Sequence, residues 1–340
     1  MRALKYLTVL SLPVVVYFAL MNEGVWAWSG VLFAFGIIPV LDWLVGEKKH
    51  NLTDEEVEEV RSNKWFDFFL FITVPVQFIS LFVFIQNASI ETSSDWGHIA
   101  SMGVLCGVIG INVAHELGHR PQRLHQFAAR LLLLSSLYMH FFIEHNRGHH
   151  KHVGTPDDPS SAPKGMGLYR FWTKTIVGTW MSSWEIVAKE RKRKGLRAWS
   201  LTNEMFVYQS IQVGFILSIA FFFGWEKALA FVSAAFIGIL LLETVNYIEH
   251  YGLGRKKVNQ FRYEEVEVWH SWNSDFMIGR LVLFELTRHS DHHFDAAKPY
   301  PILASHDEAP QLPAGYPAMM LLSLCPPLWF RVMDGRIERK

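Results

Sequence analysis

Six long apolar stretches dominate the sequence and limit the folds that the chain can adopt. Each is close to the length at which an α-helix crosses the hydrocarbon core of a bilayer, about 20 residues. Backbone groups cannot stay unpaired in lipid, so the sequence predicts an all-α integral membrane protein with about six transmembrane helices. The predicted spans are residues 4–21, 25–45, 65–85, 96–114, 206–224 and 228–247.

The composition agrees with a membrane protein. Half of the residues are hydrophobic and 19% are charged, against about 25% in a typical soluble domain. The formal net charge is zero, which argues against a nucleic-acid partner. Cys106 and Cys325 are too few for a four-cysteine metal site. A signal peptide is the alternative for the first stretch, but no small-residue cleavage site stands out and a second span follows immediately.

Two further apolar stretches are predicted not to cross the membrane. Residues 127–143 join two histidine motifs, which a full crossing would place on opposite sides, so we expect a re-entrant or half-depth hairpin. Residues 318–330 contain Pro326 and Pro327, which argue against a seventh crossing. Residues 261–268 are expected to be a short strand or an extended segment.

The basic residues of the connections predict the orientation. No Lys or Arg lies between spans one and two or between spans three and four, and only Lys227 lies between spans five and six. Residues 46–64 and 189–197, in contrast, are rich in both. The positive-inside rule therefore places both termini in the cytoplasm, with a histidine-rich cap of residues 115–203 and 250–340.

Nine of the sixteen histidines fall in four short motifs. The pairs His115/His119 and His145/His149 are spaced four residues apart, so each pair is expected to share one face of a helix. Neutral imidazole is the commonest protein ligand for transition metals, and nine imidazoles exceed the needs of one ion but suit two. Histidines outside the motifs, such as His98, His125 and His140, are interpreted as structural.

Imidazole ligands suit Fe, Cu, Zn and Ni, so the residues alone do not select the metal. A metal-transporting or metal-sensing membrane protein is the alternative from outside the enzymes. A transporter would place its ligands along the spans near the middle of the bilayer. Here the histidine motifs collect at one predicted end of the spans, which favours an enzyme.

The motifs resemble those of the bacterial integral-membrane alkane 1-monooxygenases. The resemblance rests on His-Glu-Leu-Gly-His-Arg, Glu-His-Asn-Arg-Gly-His-His, Asn-Tyr-Ile-Glu-His-Tyr-Gly-Leu and Arg-His-Ser-Asp-His-His. It extends from roughly residue 30 to residue 335, and includes His-Val-Gly-Thr-Pro-Asp-Asp-Pro after the second motif. Membrane desaturases and fatty-acid hydroxylases share three of the motifs, whereas the Asn-Tyr-Ile-Glu-His-Tyr-Gly-Leu motif narrows the choice to alkane and xylene-type hydroxylases.

The resemblance implies a non-haem di-iron centre in a bacterial inner membrane, with O2 as co-substrate. The implied reaction converts an n-alkane into a primary alcohol, with electrons from a separate rubredoxin and its reductase. A xylene-type methyl hydroxylase and a fatty-acyl desaturase or hydroxylase remain alternatives. Carried over motif by motif, the implied iron ligands are His115, His119, His145, His149, His150, His250, His289, His292 and His293.

Four acidic residues adjoin these ligands: Glu116, Glu144, Glu249 and Asp291. A carboxylate often accepts a hydrogen bond from the second ring nitrogen of a metal-bound imidazole, and we expect that role here. The alternatives are a solvated carboxylate at a helix end and, especially for Glu249, direct binding of the metal.

Two further positions follow from the resemblance. Ala34 stands in a stretch similar to the family segment where a tunnel-lining residue limits substrate length, although ordinary packing explains it equally well. The basic residues 189–194 are expected to face anionic lipid or to steer an acidic rubredoxin. The chain departs from the family pattern at residues 275–277 and 294–295, which places the differences in the cap, where substrate entry or donor docking would be affected.

Overall fold

The computed structural model describes residues 2–337 and confirms the all-helical architecture with six helices of membrane-crossing length. The last residues of the predicted cap, 338–340, lie outside the described part. The six helices, called spans one to six below, are Arg2–Leu20, Gly24–Val45, Trp65–Asn87, Ser93–Gly118, Glu204–Phe223 and Trp225–His250. Spans four and six continue beyond their predicted ends, so that His115 and His250 lie within membrane-spanning helices.

Local sequence signals explain where the helices begin and end. Thr92 starts span four with a capping box, in which its hydroxyl accepts from the N–H of Asp95 and the Asp95 carboxylate accepts from the N–H of Thr92. Thr53 and Glu56 form the same arrangement at the start of the short helix Asp54–Ser62. Gly224 alone separates spans five and six at a φ of 96°, which side chains rarely tolerate.

Several helices are not regular α-helix throughout. Spans one and two begin with the 3₁₀ segments Arg2–Leu10 and Gly24–Trp28. Within the described residues, π-helical segments occur at Phe33–Ile37 in span two, Cys106–Ile111 in span four and His145–His149 in the cap. A π turn forms i→i+5 hydrogen bonds and is often found at functional sites.

The cap consists of one long helix, several short helices and one hairpin. Its strands Lys257–Asn259 and Arg262–Tyr263 pair antiparallel, so strand structure begins earlier than the expected segment 261–268 and ends within it. The α-helices between and after the spans are Arg123–Leu134, Phe141–Glu144, His150–His152, Leu168–Arg193, Met277–Val282, His289–Phe294, Tyr316–Ser323 and Pro326–Ile337, with 3₁₀ turns at Val268–His270 and Tyr300–Ile302.

The apolar stretch 127–143 is not one crossing helix. Helix Arg123–Leu134 is followed by Leu137 at a φ of 52° and then by the short helix Phe141–Glu144. At 12 residues, the longer piece reaches about 18 Å, which is shorter than a hydrocarbon core. The stretch 318–330 is likewise divided between two helices, as its prolines predicted.

Spans four and six pack closely because glycines face the contact. A Cβ at Gly103 would lie 2.6 Å from Cγ2 of Ile237, and a Cβ at Gly238 would lie 2.7 Å from Cβ of Cys106. Small residues allow membrane helices to approach in this way. The close packing brings His115 and His250, near the ends of the two helices, to the same end of the bundle.

Candidate metal centre

The structure gathers the nine histidines of the motifs at one end of the spans. Span four supplies His115 and, just beyond its end, His119, whereas span six supplies His250 as its last residue. The other six come from the turn His145–His149 with the adjoining His150, and from helix His289–Phe294.

The nine imidazoles form two separate groups, an assignment that the sequence left open. Within each group, the nitrogen atoms that could bind a metal all lie within 4.8 Å of one another. The five-histidine group consists of His115, His119, His145, His150 and His292. The four-histidine group consists of His149, His250, His289 and His293.

The spacing of the nitrogen atoms matches a shared cation. Two nitrogens that each lie about 2.1 Å from one metal ion, at a right angle, are about 3.0 Å apart. In the five-histidine group the Nε2–Nε2 distances are 3.0 Å for His115–His292, His119–His145 and His145–His150, and 3.1 Å for His150–His292. In the four-histidine group they are 3.2 Å for His149–His293 and His250–His289.

Hydrogen bonds among the rings cannot account for this arrangement. A neutral imidazole has one N–H donor, so converging Nε2 atoms leave lone pairs facing each other. Burial, followed by repulsion from neighbouring imidazoles, holds the pKa of several of these histidines well below the ordinary value, and lowers that of His150 to about 3. The strongly lowered ones outside the spans are His119, His145, His289, His292 and His293. Neutral rings with unused lone pairs fit a transition-metal site.

The π turn decides which group each histidine of the second motif joins. His145 and His149 were expected to share a helix face, but the π-helical segment His145–His149 brings residues five apart together instead. His145 therefore pairs with His150, and His149 joins the other group. The expected pairing of His115 with His119 holds, because span four ends in regular α-helix.

Arg147 fixes this turn from outside. Its guanidinium donates to Glu190 at 2.9 Å and to Glu204 at 2.6 Å. Glu190 lies in helix Leu168–Arg193 and Glu204 begins span five, so the turn is tied to two long helices. Through these two charge-assisted hydrogen bonds, Arg147 holds the turn and its histidines in place.

Asp158 is the carboxylate that supports a ligand imidazole. Nδ1 of His149 donates to Oδ2 of Asp158 at 3.0 Å, and the Ser161 hydroxyl donates to the same oxygen at 2.6 Å. Burial alone would raise the pKa of Asp158, but His149 and Ser161 lower it to about 2, and Asp158 in turn raises the pKa of His149. Our sequence reasoning missed this role, although Asp158 lies within the quoted Thr-Pro-Asp-Asp-Pro stretch.

Glu249 lies at the metal-facing side of a ligand. Its Oε2 is 3.2 Å from Nε2 of His289, the ring nitrogen that also faces His250. Its Oε1 has no hydrogen-bond partner among the described residues. The carboxylate thus lies against the His289 ring, and neither histidine group of the described residues includes Glu249.

The other three acidic neighbours contact groups other than the ligand imidazoles. Glu116 accepts from Nε of Arg120 at 2.9 Å. Asp291 accepts from Lys298 at 2.6 Å and from His306 at 2.8 Å. Glu144 accepts from Ser182 at 3.3 Å, and burial together with the Asp158 carboxylate raises the pKa of Glu144 to about 8. Their contacts do not reproduce the expected link to a ligand imidazole.

The isolated histidines lie outside both groups. His98 contacts the backbone oxygen of Asn22 at 2.8 Å, and His125 lies 3.5 Å from Asp67. His140 is buried, and its Nε2 has no partner among the described residues. None of the three belongs to a potential metal site in the described part of the chain.

An apolar cavity lies between spans two, four and six, near the five-histidine group. Its volume is about 70 Å³, and its lining residues include Ala34, Leu241 and Met320. Asn112 and Leu286 line this cavity and also a smaller one, whose wall contains His115 and His292. The predicted tunnel residue Ala34 therefore lies in the wall of a cavity that neighbours the smaller cavity beside potential metal ligands.

Comparison with known proteins agrees with this geometry. Residues 94–323 match the sequence model of the fatty acid desaturase family. The sequence is 39% identical to alkane 1-monooxygenase 2 of Pseudomonas aeruginosa, over 98% of the chain and 90% of that protein. It is 39% identical to alkane 1-monooxygenase of Acinetobacter baylyi, over 93% of the chain and 78% of that protein.

A more distant similarity is to the xylene/toluene monooxygenase hydroxylase component of Pseudomonas putida, at 29% identity over 91% of the chain and 82% of that protein. Full-length similarity at 39% identity, six spans and clustered imidazoles agree with one another. The chain is therefore an enzyme of the alkane 1-monooxygenase family.

Proposed function

We propose that the protein hydroxylates n-alkanes at the terminal carbon with O2, forming primary alcohols at two iron ions. One ion is held by each histidine group, and the electrons come from rubredoxin and its reductase. The observation that carries the proposal is the apolar cavity, which shares the wall residues Asn112 and Leu286 with the smaller cavity beside His115 and His292. Relatives named alkane 1-monooxygenase support it across nearly the whole chain.

The ligand sets suit this chemistry. Imidazole nitrogen is a good ligand for iron, and the two groups offer five and four of these nitrogens. When bound, the irons would activate O2 strongly enough to break an unactivated C–H bond, which a redox-silent ion such as Zn²⁺ cannot do. Asp158 holds the ring of His149 in one orientation and tautomer.

The cavity supplies binding and orientation. An alkane offers no polar group, so the shape of the cavity is the only means of recognising it. Asn112 is the polar residue at the junction of the two cavities, and its amide donates to the backbone oxygen of Leu283 at 3.1 Å. That hydrogen bond uses one of the two hydrogens of the Asn112 side-chain amide within the protein. A chain entering here would present its end to the five-histidine group.

Ala34 is proposed to set the substrate length from the cavity wall. Its small side chain adds little bulk to the cavity wall beside span two, so we expect long alkanes to be accepted. A xylene-type activity is the second candidate, because the relative that acts on xylene or toluene by name is 29% identical. Identities of 39% to the alkane enzymes favour the linear substrates.

We further propose that the protein crosses the bacterial inner membrane with the cap in the cytoplasm. The connections rich in Lys and Arg, residues 46–64 and 189–197, belong to the same predicted side as the histidine motifs. An active site at that boundary would draw its substrate from the bilayer and its electrons from a cytoplasmic protein.

The test is product analysis in host cells that express the protein with rubredoxin and its reductase. The cells receive n-alkanes of graded length together with xylene, and products are measured by gas chromatography and mass spectrometry. Primary alcohols from alkanes, absent with His292→Ala, are the expected result. A benzylic alcohol as the only product would move the enzyme to the xylene branch.

A cavity variant tests the observation directly. Leu286 lines both cavities, so Leu286→Trp is expected to block the junction while leaving the bound iron unchanged. Val108→Trp narrows the cavity farther from the ligands and serves as a second variant if the first does not fold. Full activity in iron-loaded protein of both variants would contradict the proposed route.

A further inference from the structure

A carboxylate lies inside span six, about two helical turns before the ligand His250. Glu243 is 1% exposed and is seven residues from His250, so both side chains lie on the same face of the helix. An ionisable side chain within a membrane-crossing helix is costly to bury and usually has a function. Glu243 belongs to neither histidine group and lines neither of the two cavities near them, so its function lies elsewhere.

Three uncharged donors converge on the Glu243 carboxylate. The Tyr138 hydroxyl donates to Oε1 at 2.6 Å, and the Thr175 hydroxyl donates to Oε2 at 2.7 Å. The side-chain amide of Asn246 donates to the same Oε2 at 3.0 Å. Hydrogen bonds are strong in a buried, low-dielectric setting, so these three fix the orientation of the carboxylate.

The donors come from three different parts of the fold. Asn246 belongs to span six, and Thr175 belongs to helix Leu168–Arg193. Tyr138 lies in the segment that leads into the second histidine motif. The Glu243 carboxylate therefore joins three elements beneath the metal centre.

A chain of hydrogen bonds continues from Thr175 to a ligand of the four-histidine group. The single hydroxyl hydrogen of Thr175 points to Glu243, so Oγ of Ser160 is the donor in its 3.4 Å contact with Oγ1 of Thr175. The backbone N–H of Ser160 donates to Oδ1 of Asp158 at 3.0 Å, and the other oxygen of Asp158 accepts from His149. Glu243 is thus linked to His149 through three intervening residues.

This chain holds groups in place and does not lead to water. All of its residues between Tyr138 and the ligand are buried, namely Tyr138, Glu243, Thr175, Ser160 and Asp158. A path that supplied protons from the cytoplasm would need an exposed end. The geometry therefore fits a supporting role for the chain.

The ligands at the two ends of this connection belong to one histidine group. His250 follows Glu243 on span six, and His149 ends the hydrogen-bonded chain. Both are members of the four-histidine group, whose nitrogens must converge to share an ion. A break in the chain should therefore loosen this group and spare the five-histidine group.

We propose that Glu243 and Thr175 are positioning residues for the four-histidine group, and that they hold the His149 ring in place relative to span six. The inference rests on the proposed function, because it concerns the support of one of the two proposed metal ions. Neither residue contacts a metal ligand directly, and both act through the chain that ends at Asp158.

The experiment uses three variants of neighbouring threonines in one helix. Thr175→Val is similar in shape and removes the hydroxyl that donates to Glu243, whereas Thr175→Ser keeps a hydroxyl donor. Thr179→Val is the matched control. Thr179 is also buried, one turn farther along the helix, but its hydroxyl donates to the backbone oxygen of Thr175 at 2.8 Å.

The metal-free, full-length protein of each variant is titrated with Co²⁺, and binding is followed by visible absorption. Two binding phases are expected, one for each histidine group. His293→Ala removes the phase of the four-histidine group and His292→Ala removes the other, so the two phases can be assigned.

Thr175→Val is expected to lower the Co²⁺ affinity of the four-histidine group about tenfold and to leave the other phase within about twofold of the original protein. Thr175→Ser and Thr179→Val are expected to stay within about twofold in both phases. Glu243→Gln replaces the carboxylate by an amide with a single acceptor oxygen, which cannot accept from all three donors. It is expected to weaken the same phase, and it tests the link if Thr175→Val does not fold.

Equal weakening of both phases by Thr175→Val would indicate a general loss of packing and would overturn the proposal. A loss with Thr179→Val as large as that with Thr175→Val would also overturn it, as would a similar loss with Thr175→Ser. If the original protein binds two Co²⁺ ions but forms no alcohol when loaded with iron, the proposed hydroxylation fails while the positioning role stands. If alcohol forms and Thr175→Val binds Co²⁺ like the original protein, the positioning role fails alone.

Discussion

The two histidine groups differ in what surrounds them. Two members of the five-histidine group line a small cavity next to the apolar one, and two others, His119 and His150, are only partly buried. The four-histidine group is fully buried and in contact with the carboxylates Asp158 and Glu249. Carboxylates thus lie beside one group, whereas the other lies near an apolar cavity.

This difference separates a group supported by carboxylates from a group near an apolar cavity. A buried cation needs nearby negative charge to offset its loss of hydration, and Asp158 and Glu249 provide it beside the four-histidine group. The apolar surroundings of the other group exclude water from the place where a hydrocarbon would lie. We therefore expect substitutions in the two regions to affect different steps.

The strongest test uses two adjacent ligands that belong to different groups. His292→Ala and His293→Ala are each expected to abolish alcohol formation. This effect is larger than the roughly 10- to 100-fold loss of metal affinity or activity that is typical when a residue hydrogen-bonded to a metal ligand is removed. Each is also expected to lower the iron content by about one ion per chain, which mass spectrometry of the purified protein would measure. Unchanged iron content in both variants would contradict the division into two sites.

Asp158 is expected to show the next largest effect. Asp158→Ala removes the acceptor of the His149 ring, so metal affinity or activity should fall by about 10- to 100-fold. Asp157→Ala is the matched control, since Asp157 is the exposed neighbour in the same loop. Iron titration of the two apo proteins is the measurement, and equal affinities would remove Asp158 from its supporting role.

A substitution in the wall of the apolar cavity should change which alkanes are accepted and should leave electron delivery unchanged. Ala34→Trp fills part of the cavity beside span two, so product formation should shift toward shorter alkanes, with loss of the longest. Competition between alkanes of graded length measures the shift. The KM for rubredoxin should stay unchanged, and Gly36→Ala, at a position with open space around it, is the control.

The smallest expected effect concerns the stability of the metal-free protein in acid. Imidazoles whose pKa is lowered by burial bind fewer protons when folded than when unfolded, so stability falls as pH drops below about 6.5. His119, His145 and His292 of the five-histidine group contribute in this direction. Glu144 and His149, whose pKa values are raised, oppose it near neutral pH.

The melting temperature of the apo protein should therefore fall by several degrees between pH 6.5 and pH 5.5. His119→Ala removes one contributor and should flatten this dependence. A melting temperature that rises on acidification would show that the raised carboxyl pKa of Glu144 outweighs the imidazoles.

Much of the fold could be predicted because lipid imposes a length on every crossing helix. All six spans were found within a few residues of their expected positions, and the proline-containing stretch 318–330 was correctly left out. The hairpin was located less well, since strand pairing depends on partners that the run 261–268 does not contain. Lys257–Asn259, the missing partner, has an exposed and polar character that gives little strand signal.

The site was predicted unevenly for a similar reason. Clusters of imidazoles are rare without a metal, so all nine histidines of the two groups were identified from spacing and resemblance. The supporting carboxylates were expected beside the ligands in sequence, but only Glu249 contacts a ligand nitrogen there. Asp158 reaches His149 from nine residues away, because the intervening loop folds back onto the turn.

The sequence by itself determined the membrane spans, the metal-binding character and the family. It could do so because span length and ligand chemistry are properties of short segments. Only the tertiary structure decided that His145 belongs with His150 while His149 joins the other group. That choice depends on one π turn, held by Arg147 between two helices that are distant in sequence, and such a contact leaves no local pattern.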